Sequence, residues 1–158
     1  MNGCDFVPTQ HYSQISNPGD LPAAAVHLAW LRIADQAGHN QWLEETVDIN
    51  QQGVKMFKLV DMGFMFTSPN WTAATLATLG LTYTLPAHIL DRVNKANLGP
   101  AIARLKALPT SEIEACFNND VPDEWMISTQ DRQAAVRQAT DAQKKIEDIL
   151  ANGNPSLK

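Results

Sequence analysis

The sequence predicts an α+β fold, mainly α, with one β-hairpin. Three observations carry this. Apolar residues after Asp20 recur at helical spacing. Residues 42–49 and 54–60 carry strand-like residues on either side of a Gly-containing turn. From residue 71 onward the chain reads as a series of helices.

Each element has its own signal. Residues 1–19 read as a loop-like lead-in, with Pro8, Pro18 and Gly19. Asp20 is placed to cap a helix whose early Pro22 loses no hydrogen bond, because the first N–H groups of a helix have no internal partner. Val26, Trp30, Ile33 and Ala34 form its apolar stripe, and the helix is expected to end near Asp35. "WLEETVDI" (42–49) and "VKMFKLV" (54–60) read as strands. "NQQG" (50–53) reads as the turn, with Gly53 free to take a positive φ. Helices are expected over 71–79, 86–95 and 98–108, the last stopped by Pro109. Ser111 with Glu114 suggests a capping box for a short helix through Phe117. Ser128 with Asp131 opens a final helix to about Leu150, whose Ala135, Ala139, Ala142, Ile146 and Ile149 form one narrow stripe suited to close packing. The chain reads as a single domain over 1–158: lead-in 1–19, helix, loop and hairpin 20–66, helical part 67–151, tail 152–158.

Composition narrows the function. The net charge is −5 and the Lys and Arg residues are scattered, which argues against direct nucleic acid binding and suits solubility, metal cations or a protein partner with a basic surface. Cys4 and Cys116 have no metal-ligand spacing, and two lone thiols suit a reducing compartment. His11, His27, His39 and His88 form no ligand pair. No apolar run reaches spanning length and no signal pattern opens the chain, so a cytoplasmic location without membrane association is expected. Trp30, Trp42, Trp71 and Trp125 are expected in the core or in packing between parts of the fold, and the "FMF" of 64–66 in the core.

One constellation carries chemistry. "DQAGHN" (35–40) gives Asp35 and Asn40, and "LVDMGF" (59–64) gives Asp61, Met62 and Gly63 behind the second strand. Antiparallel pairing of the hairpin brings the start of its first strand beside the end of its second, and so Asn40 toward Asp61. Phosphoryl transfer from ATP needs a carboxylate to orient the attacking hydroxyl, and an Asn with a second carboxylate to hold Mg²⁺ on the phosphates. The order Asp-x-x-x-x-Asn, hairpin, Asp-x-Gly supplies these groups. Asp and Asn are also common loop residues, and each piece alone is weak.

With "WLRIADQAGHNQWL", "LVDMGFMF", "ARLKALPTSEIEACF" and "VPDEWM", the chain resembles the C-terminal lobe of HipA-like serine/threonine kinases over roughly residues 5–150. The resemblance implies Asp35 at the catalytic-base position and Asn40 and Asp61 at the Mg²⁺-ligand positions, with Met62 and Gly63 completing the metal loop. Two departures stand against activity. Gln36 and Ala37 occupy places where the family carries Arg and commonly His. The ATP-covering half is missing from the pattern: 34 residues precede Asp35, they hold no Gly-rich stretch, and no Lys occurs before Lys55. The expectation is a kinase C-lobe acting as a protein-binding regulator or inhibitor without catalysis and without a cofactor. A phage-encoded inhibitor of a host defence complex, working in the host cytoplasm, would fit. A homodimer is a further option. The alternative is half of a split Mg–ATP-dependent kinase whose N-lobe comes from elsewhere. An unrelated helical domain with a hairpin is the third reading.

Overall fold

The computed structural model describes residues 3–5, 7–34, 41–47, 53–59, 65–68, 70–121 and 127–158. The fold is α+β and mainly α. A three-stranded antiparallel sheet is formed by β1 (Gly3–Asp5), β2 (Gln41–Val47) and β3 (Gly53–Leu59), in the order β1-β2-β3. The hairpin forms as expected, except that Gly53, read as a turn residue, is the first residue of β3 and pairs with Val47; the lead-in departs further. Residues 3–5 pair with Glu44–Trp42 as a strand, Pro8–His11 form the short helix α1, and 3-10 turns follow at Tyr12–Gln14 and Pro18–Asp20. "GCD" has neither alternation nor β-branching; its strand character comes from the unpaired edge of β2.

The lead-in then locks onto the outer hairpin strand. Asn17 Oδ1 accepts from Phe57 N at 2.8 Å, while Asn17 Nδ2 donates to Phe57 O at 3.1 Å. Ser16 N donates to Lys55 O at 2.8 Å. Leu43 and Phe57 are directly opposite each other in the register, and both are buried with Ile15 and Leu21 in a small core beneath the sheet. Surface ion pairs cross the hairpin, Lys55–Glu45 at 3.8 Å between directly opposed residues and Lys58–Glu44 on a diagonal.

Helix α2 (Leu21–Leu31) lies between this core and the main one. Leu21, Ala25, Val26, Leu28, Ala29 and Leu31 are all buried, as expected of a helix apolar around most of its circumference. Pro22 falls in its first turn, but Asp20 makes no side-chain cap bond to the helix and instead accepts from Asn17 Nδ2. The helix stops at Leu31, short of Asp35. Arg32 turns left-handed (φ 48°), and Ile33 N reaches back to Leu28 O, the six-to-one bond of a Schellman ending. Ala34, past this stop, is exposed.

Short helices α3 (Ala73–Ala77) and α4 (Ala87–Leu90) are followed by α5 (Lys95–Ala107), α6 (Thr110–Ala115), α7 (Thr129–Lys144) and α8 (Ile146–Gly153). α5 starts earlier than expected because Asn94 and Asn97 cap it reciprocally. α6 starts at Thr110 after Pro109 with no side-chain cap, so Ser111 and Glu114 form no capping box there. Ser128 does cap α7, accepting from Asp131 N at 3.1 Å. Asp131 also accepts from Ala73 N at 2.6 Å and so joins α7 to α3. The expected final helix is broken at Lys145 into α7 and α8, yet Ala135, Ala139, Ala142, Ile146 and Ile149 are all fully buried.

Candidate functional site

The hairpin register gives the first half of the site's frame. Gln41, the first residue of β2, pairs with Leu59, the last of β3. The second half lies at the other ends of the same two connections. Thr67 N donates to Arg32 O at 3.0 Å. The connection from α2 to β2 and the connection from β3 to residue 65 therefore run between the same two anchors. Asp35 and Asn40 belong to the first connection; Asp61, Met62 and Gly63 belong to the second. All five lie outside the described residues.

The Arg32–Thr67 anchor is strained. Arg32 (φ 48°), Phe66 (φ 55°) and Thr67 (φ 65°) are the non-glycine residues with positive φ among the described residues, and all three sit at this junction. A β-branched or aromatic residue in the left-handed region is disfavoured and persists only where its surroundings over-determine it. Phe66 is buried and packs edge-on against Trp71 at 5.7 Å and stacked with Phe117 at 6.1 Å. Met65 is half-buried against the same core, and Phe64 lies outside the described residues.

Arg32 is fully buried. Its Nη2 donates to Gln138 Oε1 at 2.6 Å, and Gln138 Nε2 donates on to Leu76 O at 2.5 Å. Nε and Nη1 have no hydrogen-bond partner among the described residues. Burial lowers the Arg32 pKa. Arginine nevertheless keeps its charge in proteins, so this is a buried cation with a neutral partner. The next residue is pinned as well: the Tyr83 hydroxyl donates to Ile33 O at 2.6 Å, and burial pushes that phenol's pKa up.

At the other anchor Gln41 is buried, with its Oε1 2.5 Å from His88 Nε2 on α4. Burial lowers the His88 pKa, and the nearby Asp91 carboxylate partly offsets this. Among the described residues no three His, Cys, Asp or Glu side chains gather to hold a metal ion, and no helix is long and apolar enough to cross a membrane.

Comparison with family models, curated proteins and solved structures finds no match to this chain. Sequence reasoning named the connections but missed their supports, Arg32, Thr67, Gln138 and the Gln41–His88 pair. An Arg closing a helix reads as an ordinary C-terminal cation, so its burial gave no signal.

Proposed function

We propose that this chain is a lobe of the HipA-like kinase type that works as a protein-binding regulator, without catalysis of its own. The observation that carries the reading is the double anchoring of the two connections, by Gln41 with Leu59 at one end and by Arg32 with Thr67 at the other. A kinase lobe needs its base loop and its metal loop to start and end together, and the described anchors give both connections common ends.

The case against catalysis rests on Gln36 and Ala37, which replace the cation expected beside the base-position Asp35. A fixed cation there would hold the carboxylate ionised and oriented. The partner we favour carries a basic surface, in keeping with the net charge of −5, and the setting is a cytoplasm.

The three left-handed residues at one anchor favour a second reading, half of a split kinase, because such strain is commonly retained at working sites. The oxygen donors of Asn40 and Asp61 fit Mg²⁺ chemically, and the ion would neutralise charge on the transferred phosphoryl group.

Thermal melting with and without Mg²⁺–ATP separates the two. The regulator reading expects no rise in Tm at millimolar nucleotide, and partner affinity that is unchanged in Asp35→Ala and Asp61→Ala. A saturable rise that Asp61→Ala removes assigns the split kinase instead.

A further inference from the structure

Away from that frame, a cleft of about 560 Å³ opens between the lead-in, the first turn of α2 and one face of α5. Its walls include Tyr12, Pro18, Pro22 and Pro100, with Arg92 and Arg104 as its cations. We infer that this cleft binds a small organic molecule through an oxyanion group, a phosphate monoester or a carboxylate.

The cleft is built rather than incidental. Tyr12 packs against the small core under the sheet, and its ring carries the Arg92 guanidinium 4.0 Å above its centroid. Stacking fixes the plane of a guanidinium while leaving its N–H edge free for an oxyanion. The turn that presents Arg92 is itself held, since Asn97 Nδ2 donates to Arg92 O at 3.1 Å. Asn97, Pro100, Ala101 and Arg104 recur at three- and four-residue steps and so share one face of α5, the face that lines the cleft. Pro18, Pro22 and Pro100 make stiff apolar walls that lose little freedom when covered.

The charge balance gives the sign of the ligand. The chain as a whole carries −5, yet this cleft holds two arginines against one carboxylate, Asp20. Asp20 is turned to the Asn17 amide at 3.0 Å. Among the described residues neither Arg92 nor Arg104 has a carboxylate partner. The cleft's size suits a small molecule.

The experiment is a titration of the full chain, labelled with ¹⁵N-arginine, with phenyl phosphate and separately with benzoate, using sodium chloride at matched ionic strength as reference. We expect saturable shifts of the Arg92 and Arg104 Nε–H signals, assigned with Arg92→Lys and Arg104→Lys. Arg92→Gln and Arg104→Gln should each weaken binding at least about tenfold, the size of one charge-assisted pair. Lys144→Gln/Lys145→Gln, which removes a basic pair elsewhere, should leave binding unchanged. A response to phenyl phosphate alone assigns a phosphate ligand, a response to benzoate alone assigns a carboxylate, and equal responses support recognition of the oxyanion itself. Shifts reproduced by chloride, no saturable shift, or unchanged affinity in both Arg→Gln variants would overturn the inference. All these side chains are exposed, so the variants are expected to fold.

Discussion

The carbonyl of Arg32 takes the N–H of Thr67 at 3.0 Å, and both residues hold left-handed backbone. Two strained residues bonded to each other make this junction a fixed point between the end of α2 and the chain leaving the hairpin. For a β-branched residue the left-handed region costs about 1–2 kcal/mol, more than glycine's extra entropy there. Thr67→Gly should therefore keep the bond and raise stability by about 1 kcal/mol. Chemical denaturation measures it, and a loss of that size would mean that the Thr67 side chain contributes more than its backbone costs.

Arg32 and Gln138 make a second prediction. Gln138→Ala leaves the buried guanidinium without an acceptor, at a cost of about 3 kcal/mol. Adding Arg32→Met to that variant removes the orphaned charge and should restore part of the loss. A double-mutant cycle reads this directly; simple additivity of the two changes would show that Gln138 is not what holds Arg32.

The backbone near the C-terminal end sets a third pair of outcomes. A Cβ on Gly153 would lie 2.0 Å from Tyr83 O, a backbone atom that cannot step aside. Beside it, the buried Asn154 binds Leu85 N and Tyr83 O at 2.9 Å each, fastening the end of α8 to the segment before α4. Gly153→Ala should cost about 3 kcal/mol or more. Gly99, on the open face of α5, has nothing within 4 Å of its would-be Cβ, so Gly99→Ala should stabilise by about 0.5–1 kcal/mol. Thermal denaturation of the two variants should move in opposite directions.

Acid should weaken the fold through histidine. Burial lowers the pKa of both His27 and His88. A histidine whose folded pKa lies below its unfolded value binds protons more readily when the chain unfolds. Its contribution is whole above the unfolded pKa of about 6.5 and is lost as pH falls toward the folded value. Tm should therefore decline from about pH 7 toward about pH 5, and the decline should shrink in His27→Gln/His88→Gln. An unchanged slope in that variant would show that these two histidines do not set the acid sensitivity between about pH 7 and about pH 5. Asp131 acts in a lower window: its pKa is held down first by the Ser128 hydroxyl and then by the Ala73 N–H, so its contribution is whole above the ordinary carboxylate pKa of about 3.9 and is lost as pH falls from there toward the folded value.

The sequence alone determined the mainly helical α+β composition, the hairpin and the buried stripe Ala135–Ala139–Ala142–Ile146–Ile149. Each of these is written in local periodicity or turn chemistry, which needs no knowledge of the rest of the chain. It also named Asp35, Asn40 and Asp61 as candidates. Only the tertiary structure decided that "GCD" is a strand, because an edge of β2 was free to receive it, and that α2 stops at Arg32 rather than near Asp35. It alone decided that the connections bearing those candidates, joined at the hairpin end by its pairing, are joined again at Arg32 and Thr67. The physical reason is distance along the chain. Thr67 meets Arg32, and Arg32 meets Gln138, only after the helices pack, and no local pattern records a hydrogen bond between residues 106 positions apart.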